Sequence, residues 1–430
     1  MKILLIAYEF PPSPSPQSLR WSYLTRELVR RGHDVHVLTP DLGPELGTPN
    51  AALDPRVIVH RTYAGPIRGF IAWHRRRRAA QAHVTNGTGQ PTGAPTGVHR
   101  ALRTPLEIKL VNAAFRISER LWFPDVRGEW TPFARRTMST LLATGRFDVV
   151  ISSHEPATCL ELGLRARRAT ALPWIADLGD PVLAPYTPKR WRKRSLQLER
   201  ATCDEASTVT VTAASAAALL VERHGGARQP AVLTQGFDDR PPTLPPAATG
   251  TLELAYAGSF YSFRRAEALF EAIAASKGVC LSVATVALPD ALRTIAEKNP
   301  ESFRLMGFLD HSDALALQAK AHVLVNIANR DAAQVPGKLY EYLGAGRPVL
   351  HLTHGGPDPG ADLVRTLRRG WVVEDDVTAV ATRLKRIRHD LQAGGWLDDV
   401  DLSPEPVRSY SWSAIGDRLD ALLRESCRPE

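Results

Sequence analysis

The first forty residues limit the fold more than any other stretch. Ile3, Leu4, Leu5 and Ile6 form an unbroken apolar run, the pattern of a parallel strand buried on both faces. A loop rich in proline and serine follows, from Pro11 to Pro16. Leu19, Trp21, Leu24 and Leu28 then recur at helical spacing, and Gly32 sits where a glycine ends a helix. Val35, Val37 and Leu38 supply the next strand. The result is a β-α-β unit, the building block of a doubly wound sheet.

The same rhythm returns further along. Strands are expected at Asp148–Ser152, Pro173–Ala176 and Thr208–Thr212. The proline-rich stretch from Gly236 to Gly250 suits a linker, because proline supports no regular element there. A second β/α series follows, with strands expected at Leu252–Ala257, Val279–Ala284, Phe303–Leu305 and Val323–Ile327 and a last helix over Trp412–Arg424. A chain of 430 residues is too long for one ordinary core. The expected division is a first domain over 1–235, a linker over 236–250, a second domain over about 246–405 and a closing helix within 406–430.

Composition removes several classes. A hydrophobic share of 44% and a charged share of 23% suit a soluble globular protein. No signal-peptide pattern is present, and no apolar run approaches the ~20 residues that span a bilayer. The four cysteines, Cys159, Cys203, Cys280 and Cys427, form no CxxC pair, so neither zinc nor a disulfide framework is expected. Free thiols and a cytoplasmic location follow. The net charge of +9 suits an anionic small substrate or an anionic membrane surface. It would also suit nucleic acid, but no zinc-finger spacing or RRM-type aromatic motif supports that partner. The G-x-G in NGTGQPTG lacks a preceding strand, and the DxD at Asp399–Asp401 reads as a surface loop, not a metal site.

The sharpest local feature is VPGKLYEYLGAGRPVL, from Val335 to Leu350. Pro336 suits the first turn of a helix, Gly346 its end, and Pro348-Val349-Leu350 the start of a strand. A helix start after a parallel strand presents unpaired N–H groups and a positive dipole end, which suit an anion. Gly337 permits close approach of a ligand, Lys338 adds a cation, and Glu341, one turn on, has the chemistry to accept from a ribose diol. A capped helix with a surface glutamate fits equally well.

PGKLYEYLGAGRPVL resembles the donor-binding motif of glycosyltransferase family 4, a retaining GT-B family. Other segments resemble the family's pattern in the same order. They are MKILLIAYEFPP with RGHDVHVLTP, FDVVISSHEP, LPWIADLGDP, LAYAGSFY, MGFLDHSDALALQAKAHVLV and SYSWSAIGDRLDALL. Only the Thr62–Val98 region stands apart. The resemblance implies an α/β fold of GT-B type, two Rossmann-like domains facing across a cleft. The sequence departs from the family twice. The first of the family's two glutamates, eight positions before Glu341, is Ala333. Ser13, Pro14, Ser15 and Pro16 replace its glycine pair.

On the donor side the resemblance implies Gly258, Ser259, Arg265, Phe308, Pro336, Gly337, Leu339 and Glu341 as binding residues. Arg264 and Lys338 would stabilise a leaving diphosphate, since guanidinium binds oxygen bidentately. An ordinary solvated basic turn also accounts for Arg264 and Arg265. His154, at a strand's carboxyl end, is expected near the transferring centre, or else is a satisfied structural histidine. Asp177 and Asp180 face the same region or cap loops. Arg20, Asp125, Trp130 and Asp177 are expected on the acceptor side, and Asp180 among the catalytic groups.

The run His74–Arg78, beside Phe70, Ile71 and Trp73, reads as a membrane-surface patch or a solvated basic helix; each cation near an anionic leaflet is worth ~1 kcal/mol. The expected activity is transfer of a sugar, with retention, from a nucleoside diphosphate sugar (UDP-sugar preferred) to a hydroxyl acceptor such as a lipid-linked saccharide. The reaction is expected to need no cofactor or metal. A GT-B epimerase and a non-catalytic sugar-nucleotide-binding protein are the alternatives.

Overall fold

The computed structural model describes residues 1–44, 53–85, 113, 115, 118, 120–226, 229–239, 250–260, 266–329, 334–395 and 397–428. They divide into two compact units, one running to Thr234 and resuming at Ile415, the other Gln235–Ala414.

In the first unit, β1 (Lys2–Ala7), β2 (Asp34–Asp41), β3 (Ile58–Tyr63), β4 (Val149–His154), β5 (Trp174–Leu178), β6 (Thr208–Val211) and β7 (Ala231–Val232) form one sheet. Its order is β3-β2-β1-β4-β5-β6-β7, and the pairings are parallel. The continuous apolar runs of β1, β4 and β5 are buried along their length because helices cover both faces. The helix Pro16–Arg30 starts on Ser15, whose side chain accepts from the Ser18 N–H. Trp21, Leu24 and Leu28 are fully buried on it, as their spacing predicts.

The second unit repeats the plan. Its strands are β8 (Leu252–Ala257), β9 (Val279–Ala284), β10 (Phe303–Gly307), β11 (Val323–Ile327), β12 (Val349–Thr353) and β13 (Gly370–Glu374). They lie in the order β10-β9-β8-β11-β12-β13 and pair in parallel. In both sheets the order reverses beside the first strand of the unit, between β1 and β4 and between β8 and β11. Ligands of doubly wound sheets bind at the carboxyl ends of the strands at that reversal.

The basic run lies inside a helix, Pro66–Thr85, as one of its two readings has it. Two elements differ from expectation. Pro336 caps the helix Gly337–Gly344 from just outside, and the helix stops before Gly346, which turns the chain at φ +64°. The closing helix, Trp412–Ser426, runs further than expected. From Ile415 onward it belongs to the first unit, where Asp417 pairs with Arg31 at 2.6 Å and Asp420 with His33 at 2.7 Å. Most of the linker stretch, residues 240–249, lies outside the described residues. Among the described residues no helix is long and apolar enough to cross a membrane.

Candidate functional site

In the second unit, the reversal point gathers the end of β8 and the start of the helix Gly337–Gly344. Gly258 follows β8 directly. A Cβ there would lie 3.2 Å from the Tyr256 hydroxyl and 3.5 Å from Lys338 Cδ, so glycine keeps this contact open. The Tyr256 hydroxyl donates to the Ser259 carbonyl at 3.1 Å and fixes the turn. The Leu339 N–H donates to the Pro336 carbonyl at 2.9 Å. The N–H groups of Gly337 and Lys338, at the first two helical positions, have no intrahelical acceptor. They and the Lys338 ammonium make a positive corner suited to phosphate.

One turn on, the half-buried Glu341 accepts from Gln318 Nε2 at 2.5 Å and meets His311 Nδ1 at 3.5 Å. Both partners come from the helix His311–Lys320, itself capped by Asp310. Gln318 is buried, so the carboxylate is held in a fixed pose from below. Sequence reasoning missed Gln318 and His311; both lie inside the quoted MGFLDHSDALALQAKAHVLV segment, but nothing in their spacing marks them as partners of a helix more than twenty residues on. Phe308 is half-buried just after β10. Leu339, expected among the donor contacts, is instead a core residue packed with Ala255, Leu324, Tyr342 and Val349. Its side chain is spent on the apolar interior. Arg264, Arg265 and Ala333 lie outside the described residues.

In the first unit, His154 ends β4 and is only 4% exposed. Its Nδ1 lies 2.9 Å from the Asp180 carbonyl. A carbonyl only accepts, so Nδ1 carries the proton and Nε2 is left with its lone pair. Burial, against the opposing pull of Glu155 and the Asp180 carbonyl, holds the imidazole below the usual histidine value. The His154 carbonyl accepts from Gln17 Nε2 at 2.8 Å, which ties the start of the first helix to this strand end. Tyr186 reaches back over the loop, its hydroxyl 3.3 Å from Glu155 Oε1 and 3.4 Å from Asp180 Oδ2.

Asp125 sits beside this group, but its carboxylate is taken up locally. It accepts from the Arg127 N–H at 2.7 Å and from Arg127 Nη2 at 2.6 Å. Burial pushes the Asp125 carboxyl upward, and the Arg127 bonds and charge outweigh that and hold it low. Arg127 Nη1 lies 3.8 Å from Glu9 Oε1. Glu9, Arg127, Glu155 and Tyr186 are therefore members of this strand-end cluster that sequence reasoning did not single out.

Three expected acceptor-side residues are placed elsewhere. Arg20 and Asp177 are 0% and 1% exposed and meet in a two-bond pair at 3.0 and 3.1 Å. Arg20 also donates to the Leu233 and Thr234 carbonyls, and Asp177 accepts from Thr210. Their charges brace the sheet interior and offer nothing to a ligand. Trp130 is fully buried, donates to Thr62 Oγ1 at 2.7 Å and stands edge-on to Tyr8.

The basic run is anchored from within. Glu129 accepts the Ile67 and Arg68 N–H groups at 2.9 and 2.7 Å and so caps the helix Pro66–Thr85. Gly65, at φ +109°, is needed because a Cβ would meet Glu129 Cγ at 2.2 Å. Ile71 and Ala72 face the core, while Phe70 and Trp73 are exposed. Arg77 lies 4.6 Å over the Trp73 ring, Arg75 donates to the Leu42 carbonyl and Arg76 pairs with Asp41.

No group of three or more metal-ligating side chains converges among the described residues. Burial pushes the Cys159 and Cys203 thiols up to about 12, far from the reactive thiolate range.

Two parallel sheets of this order, each collecting polar groups at the strand ends beside its reversal point, define a two-unit α/β protein of the GT-B class. Residues 18–236, just over half of the chain, match the glycosyl transferase 4-like domain, and the chain belongs to that family of glycosyltransferases. Three solved structures resemble it along nearly their whole length. Sucrose-phosphate synthase from Thermosynechococcus elongatus is 18% identical, with a TM-score of 0.66, over 99% of this chain and 98% of that one. Anabaena HepE in complex with UDP-glucose is 12% identical, with a TM-score of 0.63, over 99% and 100%. A UDP-N-acetylglucosamine 2-epimerase is 14% identical, with a TM-score of 0.51, over 100% and 98%. No curated protein matches the sequence.

Proposed function

We propose that this glycosyltransferase moves a sugar, with retention, from a nucleoside diphosphate sugar to a hydroxyl acceptor. UDP-sugar is the preferred donor, and a lipid-linked saccharide of surface polysaccharide assembly the preferred acceptor. The observation that carries the reading is the second unit's strand-end site. There Gly258, Lys338 and the helix start suit a diphosphate, and the pre-oriented Glu341 suits a ribose diol. The ribose and diphosphate chemistry is common to nucleotide sugars; the preference for UDP rests on HepE, whose described complex contains UDP-glucose.

The chemistry asked of these groups is electrostatic. As the glycosidic bond breaks, negative charge collects on the leaving diphosphate. The Lys338 ammonium and the N–H groups of Gly337 and Lys338 stabilise it, joined by Arg264 and Arg265. The acceptor proton passes to a donor phosphate oxygen, and no metal or separate cofactor is invoked. In the first unit, neutral His154 has an Nε2 lone pair able to accept from a sugar hydroxyl, and Asp180 is the candidate for orienting the acceptor. The exposed Phe70, Trp73 and Arg77 suit an anionic membrane surface at the cytoplasmic face, where a lipid-linked acceptor resides.

The test is incubation of the protein with radiolabelled nucleoside diphosphate sugars, with and without a lipid extract. The expected result is label in an extractable glycolipid, with the anomeric configuration kept. Epimerised donor in the acceptor-free tube would instead make the protein an isomerase.

A further inference from the structure

A buried carboxylate in the first unit is used by none of the chemistry above. Glu199 lies in the helix Arg192–Glu205 and is 0% exposed. A buried carboxylate is costly unless it is fully paired, and this one is paired on every side. It accepts from the Leu183 N–H at 2.9 Å, from Arg223 Nη1 at 3.1 Å and lies 2.8 Å from His224 Nε2. Arg223 Nη1 also donates to the Leu183 carbonyl at 2.8 Å. Both backbone groups of Leu183 are thus gripped by a single ion pair.

Leu183 belongs to the loop that leaves β5 and carries Asp180 and Tyr186. Two further bonds tie that loop to His154, and Thr212 holds it from just past the next strand. The Gly179 N–H reaches the His154 carbonyl at 3.4 Å, the Gly179 carbonyl accepts from Thr212 Oγ1 at 2.8 Å, and the Asp180 carbonyl accepts from the His154 Nδ1–H. Between Asp180 and Leu183 stand only Pro181 and Val182, and Val182 is buried. Movement at Leu183 is therefore passed to the Asp180 carbonyl with little slack.

We propose that the Glu199–Arg223 pair is a positioning device for His154: by holding Leu183 it keeps the Asp180 carbonyl on Nδ1 and so fixes which ring nitrogen carries the proton. Glu199 and Arg223 touch neither substrate nor reacting atoms; they act through the loop. The consequence for turnover rests on the function proposed above, whereas the effect on the imidazole does not.

The experiment is nitrogen NMR of the His154 side chain in the full chain, in the unaltered protein and in Glu199→Gln and Arg223→Lys, each first checked for a cooperative melt. Glutamine keeps an oxygen for the Leu183 N–H but loses the pairing with Arg223. Lysine keeps the charge but is one atom shorter, which draws its nitrogen away from the place where Arg223 Nη1 meets both Glu199 and the Leu183 carbonyl. The unaltered protein should show one tautomer, protonated at Nδ1, with slow exchange of that proton. In the variants both tautomers should appear and the exchange should accelerate about tenfold or more. Glu199, Glu155 and Arg127 also act on His154 through charge, which is why the tautomer, not the titration midpoint, is the readout. With UDP-glucose as donor, kcat should fall about tenfold at little-changed donor KM. A single Nδ1-protonated tautomer with unchanged exchange in both folded variants would overturn the proposal. Absence of turnover in the unaltered protein would strike the proposed function and leave the NMR result standing.

Discussion

Gln318 donates to Glu341 across 2.5 Å, so a buried amide on one helix sets the pose of a half-buried carboxylate on the next. Among the described residues the buried Gln318 Oε1 has no hydrogen-bond partner, which leaves this bond as the amide's evident task. A carboxylate held this way loses little orientational freedom when it takes a ribose diol.

Replacing Gln318 with leucine should therefore weaken nucleotide binding without unfolding the site. A hydrogen bond to a charged group is worth about 1.5–3 kcal/mol, so UDP affinity should drop roughly 10- to 100-fold in Glu341→Ala and somewhat less in Gln318→Leu. Calorimetric titration of each variant checks this. Unchanged affinity in both would remove Glu341 from the ribose role.

Lys338 stands against Gly258 at the helix start. Lys338→Ala should lower turnover by about 10²–10³-fold, the usual loss when one preorganised electrostatic group is removed. Its melting temperature should hardly move, because the side chain is half-exposed. Steady-state kinetics beside a thermal melt separates the two effects, and full activity would take Lys338 off the phosphate.

The Arg20–Asp177 pair predicts the reverse pattern. Breaking a fully buried pair leaves an uncompensated charge, at about 3–5 kcal/mol. Arg20→Ala should lower stability severely. The double change to Arg20→Met with Asp177→Leu should recover much of the loss, since no orphan charge remains. Chemical denaturation of the three proteins gives the comparison. Equal stability of Arg20→Ala and the unaltered protein would contradict the bracing role.

Acid should destabilise the fold in two stages. Burial, chiefly, holds His154, His33 and His60 below the ordinary histidine value. On unfolding these groups take up protons near pH ~6.5, so below that value the unfolded state binds more protons and stability falls. Their contribution is complete above about pH 7 and is lost as pH drops toward their folded values. Asp358 acts lower. Burial raises it, but the His351 hydrogen bond and charge outweigh that and hold it at about 2. Its stabilisation is full above the ordinary aspartate value of ~3.8 and vanishes as pH falls to about 2. Melting temperature should be level from about pH 7 to 8 and decline below about 6.5; a rise on acidification would refute the assignment.

Much of this architecture was legible because parallel strands buried on both faces announce themselves as apolar runs. β8, β9 and β11 fall where Leu252–Ala257, Val279–Ala284 and Val323–Ile327 place them. β3 did not announce itself: IVHRTY alternates and sits at the sheet edge. The reach of single residues was harder to read. Leu339 and Trp130 were grouped with ligand contacts by their motifs, yet helical phase and a tryptophan's bulk send both into cores. Arg20 and Asp177 lie 157 positions apart, and no local pattern tells that two such charges meet. Gln318, Glu199 and Arg223 were invisible for the same reason: their partners are set by tertiary packing.

The most direct test is the ligand-induced thermal shift against nucleoside diphosphates and their sugars, with Glu341→Ala run in parallel. A ligand that binds only the folded state raises its stability by mass action. The expected result is a clear upward shift with UDP and a UDP-sugar, lost in the variant. No shift with any nucleotide, or equal shifts in the variant, would contradict sugar-nucleotide binding at the second unit's strand ends.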